Sequence, residues 1–318
     1  MQQRWFEVDS TWVHTVEWEP ETPDPDATPL AFVHGLGGST VNWELVGAAL
    51  SNRLGATVTA LDLPGFGRTR NTQGPATFES HRHVVTSWLR EHGPAIVVGN
   101  SMGGSISVSL AARHPELVHG LVLVNAAYPR PTGNFDQLAR TAKFAMLTLP
   151  RVATPVVNAR ARRLGSAALV DATLRFVLAE PDQLDPAVRT RLVDLAAERY
   201  QYPEAAGAYA QSGGSLFRYL VTRMRSDLDT LGMPTMVMHG RRDQLVPVAF
   251  ARAVARRRPH WQYVELAHCG HAPQLESPER FVDLVSGWIA RARNTHTGDE
   301  TPAPSGAGRP GPQGQEAQ

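Results

Sequence analysis

The chain has 318 residues, of which 42% are hydrophobic and 19% charged, and its formal net charge is +1. That length suits one large core with an insertion, and a charge balance so close to zero excludes a global field for nucleic acid. Cys269 is the single cysteine, so no intrachain disulfide can form; with no apolar leader and no run of membrane-spanning length, the expectation is a cytoplasmic protein.

The first stretch, from Trp5 to Trp18, alternates apolar and polar residues around Asp9-Ser10 and reads as a β-hairpin. A polar, Pro-rich link follows. From Pro29 onward come short apolar runs separated by helical stretches: Leu30 to Val33, Thr57 to Leu63, Ala95 to Val98, Leu121 to Val124, Thr235 to Met238 and Tyr263 to Leu266. This alternation predicts an α/β fold with buried parallel strands joined by crossover helices, whose functional residues lie just past the carboxyl ends of the strands.

The rhythm breaks between Tyr128 and Asp229, where the periodicity is helical and no strand pattern occurs. Residues 128–229 are therefore read as an inserted helical cap, and residues 1–127 and 230–293 as the core. The first cap helix is expected to start at Asn134 and to end at Pro150. The last core helix is expected from Ser277 to about Arg293, and residues 294–318, rich in Pro, Gly and Gln, form an expected disordered tail.

The chemistry starts at Gly99-Asn100-Ser101-Met102-Gly103, an apolar strand running into Gly-x-Ser-x-Gly and then a helix of small residues. A serine on so sharp a turn is exposed beside amide donors, so Ser101 is the candidate nucleophile. His271, in the loop between the last core strand and the last helix, is the candidate base, with His268 as its rival. Asp243, after the preceding strand, is the candidate acid that fixes the imidazole tautomer, with Asp62 as its competitor. The glycine-rich loop His34-Gly35-Leu36-Gly37-Gly38 follows a strand and offers the amide of Leu36; the amide of Met102 is the second donor for an oxyanion. That loop lacks the lysine of a phosphate-binding loop, and the His268, Cys269, His271 cluster lacks a fourth ligand, so neither a nucleotide cofactor nor a metal is expected.

In this order and spacing, His34-Gly-Leu-Gly-Gly, Asp62-Leu-Pro-Gly-Phe-Gly, Gly99-Asn-Ser-Met-Gly-Gly, Gly240-Arg-Arg-Asp and Gly270-His-Ala-Pro resemble the α/β-hydrolase superfamily over nearly the whole chain apart from the tail. The resemblance implies Ser101, Asp243 and His271 as a triad, Leu36 and Met102 as oxyanion amides, and a mostly parallel sheet with helices on both faces and a helical cap. Members that open epoxides or displace halide use aspartate at the elbow, so a serine implies acyl transfer to water.

Hydrolysis of a carboxylic ester, small or lipid-like, is the first expectation. The elbow also resembles that of carbon-carbon bond hydrolases acting on aromatic ring-cleavage products, although those carry a His-Gly-Gly-Gly-Pro-Gly type loop and a Trp after the catalytic His, where this chain has Leu36-Gly-Gly and Ala272-Pro273. A non-catalytic small-molecule receptor on the same fold is a third reading. Arg140, Lys143, Arg151, Arg160, Arg162 and Arg163 fall in a stretch without acidic residues and read either as weak contact with an anionic membrane surface or as an ordinary solvated face.

Overall fold

Strands β1 (Gln2–Val8) and β2 (Thr11–Trp18) pair antiparallel across a turn in which Asp9 and Ser10 have φ of 45° and 63°. A two-residue hairpin needs that left-handed backbone, and short polar side chains tolerate it. The computed structural model describes residues 1–71, 74–129 and 165–297. The hairpin is the edge of an eight-stranded sheet, completed by β3 (Leu30–Val33), β4 (Val58–Leu61), β5 (Ala95–Asn100), β6 (Val118–Val124), β7 (Thr235–Gly240) and β8 (Gln262–Leu266). Its order is β1-β2-β4-β3-β5-β6-β7-β8, with β2 antiparallel to β4 and every later pairing parallel. The fold is the α/β-hydrolase fold anticipated from the motifs.

The central strands are mostly apolar because both of their faces are covered. Ala31, Val33, Val97 and Leu123 face one core, which also takes Val85 and Leu89 of α2 (Phe78–His92) and Ile106 and Leu110 of α3 (Met102–Arg113). Leu30, Phe32, Val98 and Val122 face the other, against Val46 and Leu50 of α1 (Glu44–Leu54) and Phe281, Val285 and Ile289 of the last helix. Each of the Val, Leu, Ile and Phe side chains contributes about 2 kcal/mol when taken fully out of water. Strand β4 is shorter than the apolar run from Thr57 to Leu63, because the Asp62 carboxylate takes the amides of Thr40 and Arg68 and turns the chain away.

Among the described residues of 128–229 the ordered elements are helical: residues 165–177, then α4 (Pro186–Arg199), α5 (Ala205–Thr222) and α6 (Met224–Thr230). Leu174, Leu178 and Val188 pack on Val41, Ala272 and Leu275, so this stretch has its own small core against the loops at the strand ends. Helix α5 is fastened to α2 by the stack of Phe78 on Tyr219, with ring centroids 4.2 Å apart. The expected cap helix at Asn134 and the basic stretch from Arg140 to Arg163 lie outside the described residues. After β7 come α7 (Val248–Arg257), α8 (Pro273–Glu276) and α9 (Pro278–Thr297), the last running past its expected end at Arg293. No helix among the described residues is long and apolar enough to cross a membrane.

Candidate active site

Ser101 stands between β5 and α3 with φ 56° and ψ −117°, a conformation that costs a non-glycine residue of order 1–3 kcal/mol. Neighbouring backbone holds it there: Ser101 N donates to Val124 O at 3.0 Å, and Ser101 O accepts from Ala127 N at 3.1 Å. The flanking glycines follow from the same crowding. A Cβ on Gly99 would lie 2.5 Å from Gly103 O, and one on Gly103 would lie 2.1 Å from Val33 O.

The glycine-rich loop after β3 meets the elbow directly, since a Cβ at Gly35 would come within 2.9 Å of Ser101 Cβ. Its shape is set by His34, whose Nδ1–H donates to Gly35 O at 2.7 Å while Nε2 accepts from Leu63 N at 3.0 Å. That pattern needs a neutral ring, and burial lowers the His34 pKa in keeping with it. Among the described residues no acceptor takes the amide N–H of Leu36 or of Met102. Two donors are thus left beside the elbow, one of them at the first turn of α3.

Asp243 and His271 are brought together from the loops after β7 and β8. His271 Nδ1 lies 2.8 Å from Asp243 Oδ2, and both side chains are buried. Burial alone would raise the Asp243 pKa, but the charge of His271 and hydrogen bonds from His239 and His271 outweigh it and hold the carboxyl well below the usual range. Its other oxygen, Oδ1, accepts the amides of Leu245 and Val246 at 2.8 and 3.0 Å. The histidine loop is joined to the elbow through Asn100, whose Nδ2 donates to His271 O at 3.1 Å and to Val124 O at 3.1 Å.

The rivals lie elsewhere. Asp62 bonds His14 Nδ1 at 2.7 Å together with the Thr40 and Arg68 amides, and so organises its own loop. His268 is exposed and lies beyond the end of β8 rather than within it.

Two residues that hold the site were not singled out from sequence. Asn125 follows β6 with φ 44°, donates through Nδ2 to Asp243 Oδ2 at 2.7 Å and to Gly270 O at 3.0 Å, and accepts from Gly240 N at 3.2 Å. Its signal was available: like Ser101, it is a polar residue directly after a buried strand. Glu276 accepts the amides on both sides of His271, from Gly270 at 2.9 Å and Ala272 at 3.2 Å, and the amide of Ala179 at 2.6 Å. Because His271 N in turn donates to Val177 O at 2.7 Å, the helical segment after residue 165 is hydrogen-bonded to the histidine loop on both counts. Ser101, the His271 imidazole held by Asp243, and the Leu36 and Met102 amides, which have no acceptor among the described residues, thus all follow the carboxyl ends of strands in one sheet, and acyl transfer uses a set of this kind.

Residues 28–278 match the sequence profile of the alpha/beta hydrolase fold family. The 2-hydroxy-6-oxo-6-(2'-aminophenyl)hexa-2,4-dienoic acid hydrolase of Metapseudomonas resinovorans is 27% identical over 270 residues, covering 83% of this chain and 84% of that protein. The pimeloyl-[acyl-carrier protein] methyl ester esterase of Aromatoleum aromaticum is 31% identical over 275 residues, covering 80% of this chain and 96% of the esterase. Among solved structures, a thermophilic esterase from Thermogutta terrifontis superposes with a TM-score of 0.67 at 20% identity, over 92% of this chain and 99% of that one, a likeness of fold.

Proposed function

The chain belongs to the alpha/beta hydrolase fold family, and from that premise we propose that it is a serine hydrolase cleaving a carboxylic ester through a covalent acyl-enzyme. The observation that carries this reading is the 2.8 Å contact of His271 Nδ1 with Asp243 Oδ2, on a loop that Asn100 ties to the serine elbow. Ser101 Oγ attacks the ester carbonyl while His271 Nε2 takes its proton, and Asp243 keeps Nδ1 protonated and stabilises the imidazolium. The oxyanion of the tetrahedral intermediate is received by the Leu36 and Met102 amides; one such donor is worth about 3 kcal/mol in the transition state. His271 returns the proton to the leaving alcohol, and water then releases the acid by the same steps in reverse order. The described helices between residues 165 and 229 belong to the cap over this cleft, the rest of the expected cap lying outside the described residues, and the cytoplasm, where the single buried Cys269 stays reduced, is the compartment.

A second reading is carbon-carbon bond hydrolysis of an aromatic ring-cleavage dienoate, favoured by the likeness to the Metapseudomonas enzyme. The 31% identity to a methyl ester esterase and the Leu36-Gly-Gly and Ala272-Pro273 sequences favour the ester. The test compares p-nitrophenyl esters of graded length with a vinylogous dienoate, in wild type and Ser101→Ala. Serine-dependent turnover of the esters is expected. A strong serine-dependent preference for the dienoate would install the second reading, and labelling by a fluorophosphonate without turnover of either would leave a receptor.

A further inference from the structure

We propose that an arginine-lined cavity between α2, α3 and α5, apart from the serine elbow, binds a phosphate dianion. The cavity has a volume of about 250 Å³, and its lining includes Arg82, Arg113, Arg218 and Arg223 with Glu79 as the one carboxylate. Phe78, stacked on Tyr219, also lines it.

The charges do not cancel. Arg113 is paired, through Nη1, with Asp227 at 2.9 Å and with Ser109 Oγ at 2.7 Å. Arg218 meets Glu79 at 3.3 Å, an ion pair whose two members are 67% and 50% exposed and which therefore holds Arg218 only weakly. Arg82 and Arg223 have no hydrogen bond or ion pair from their guanidinium groups among the described residues. Four cations against Glu79 and Asp227 thus leave two charges unopposed, and the shortfall matches a dianion.

Arg82 makes the argument specific. It is partly buried, and burial followed by the neighbouring charge of Arg113 pulls its pKa below the ordinary value. A solvated surface arginine carries no such penalty. A guanidinium held among others without a counter-ion is relieved by an anion with several acceptor oxygens, and the planar fork of arginine fits a phosphate through two parallel bonds. Free phosphate and the phosphate of a monoester share this chemistry.

Isothermal titration of the full chain with inorganic phosphate and with phenyl phosphate, each against sodium chloride at matched ionic strength, tests the site. Saturable binding of at least one phosphate is expected; Arg82→Gln and Arg223→Gln should each weaken it on the order of tenfold, whereas Arg53→Gln, on α1 and outside the cavity, should not change it. Similar affinity for both probes would identify free phosphate as the source, and a tenfold preference for phenyl phosphate an organic monoester. Binding no stronger than that of chloride, or equal affinity in wild type and both cavity variants, would overturn the proposal. Should a variant fail to fold, phosphorus NMR on the wild type alone decides between the two outcomes: saturable line broadening supports the site, and its absence overturns it. The site stands independently of the hydrolytic reading, since neither probe is an ester substrate of the elbow.

Discussion

Asn125 Nδ2 lies 2.7 Å from Asp243 Oδ2, the same oxygen that accepts the His271 Nδ1–H. The carboxylate is therefore aimed by a side chain on a third strand end, and its orientation toward the imidazole depends on an amide that donates but never takes part in proton transfer. Asn125→Asp keeps the size and tolerates the left-handed φ, yet sets a second carboxylate against the first. A charge-assisted hydrogen bond of this kind is worth about 1.5–3 kcal/mol, so kcat on the best ester should fall by about tenfold to a hundredfold or more with KM little changed. Steady-state kinetics decide it, and a variant within twofold of wild type would mean that Asp243 is held by its other donors alone.

Glu276 gives a second prediction, because its two oxygens take three backbone amides around His271 and from the helical segment. Glu276→Gln exchanges one acceptor oxygen for an NH2 facing N–H groups, and the burial of the site leaves water little room to repair it. The expected cost is about 2 kcal/mol of stability. Hydrogen exchange at the amides of Gly270, Ala272 and Ala179 should speed up together. Exchange that speeds up at Ala179 alone would separate the helical segment from the histidine loop.

A pH prediction comes from His81, which is fully buried. Its Nε2–H donates to Ser212 Oγ at 2.8 Å, since that hydroxyl itself donates to Ala76 O, and its Nδ1 has no partner among the described residues. Burial above all lowers its pKa from 6.5 to about 3. The folded chain thus refuses a proton that the unfolded chain accepts below 6.5. Stability from this group is complete above pH 6.5 and is lost as the pH falls toward 3, at up to about 1.4 kcal/mol per unit. Urea unfolding at pH 7, 6, 5 and 4 should show a shallower acid slope in His81→Gln than in wild type, whatever the offset at pH 7. Parallel slopes would mean that the ring is already neutral in the unfolded chain or reached by solvent in the folded one.

How much of this was legible depends on whether the cause is local. Val33, Val97 and Leu123 mark strands because a strand covered on both faces is mostly apolar; Ser101 announces itself by standing directly after such a run, and Asp243 and His271 by lying in the loops that follow β7 and β8. The antiparallel insertion of β2 beside β4 is not local: it follows from pairings such as Val16 with Ala60, which no pattern within either strand specifies. The same holds for Glu276, a glutamate near a helix start whose role exists only because Gly270, Ala272 and Ala179 converge on it. The buried pair of His14 with Asp62 likewise joins residues 48 positions apart.

Two glycines separate crowding from mere flexibility. At Gly103, in the first turn of α3, an added Cβ would meet Val33 O at 2.1 Å and His34 O at 2.6 Å, backbone atoms that cannot rotate away. Gly103→Ala must therefore push α3 off β3 and carry Met102 and the elbow with it. A loss of at least about 3 kcal/mol is expected, the upper end of overpacking costs, with ester turnover lost along with it. Gly207, inside α5, has only Gln211 Nε2 within reach of a Cβ, at 3.8 Å. There the same substitution removes the entropic cost of a helical glycine and should stabilise by up to about 1 kcal/mol. Thermal unfolding of the two variants should move in opposite directions. If Gly103→Ala unfolded at the wild-type temperature and still reacted with a fluorophosphonate, the close approach of α3 to β3 would not be what fixes the elbow.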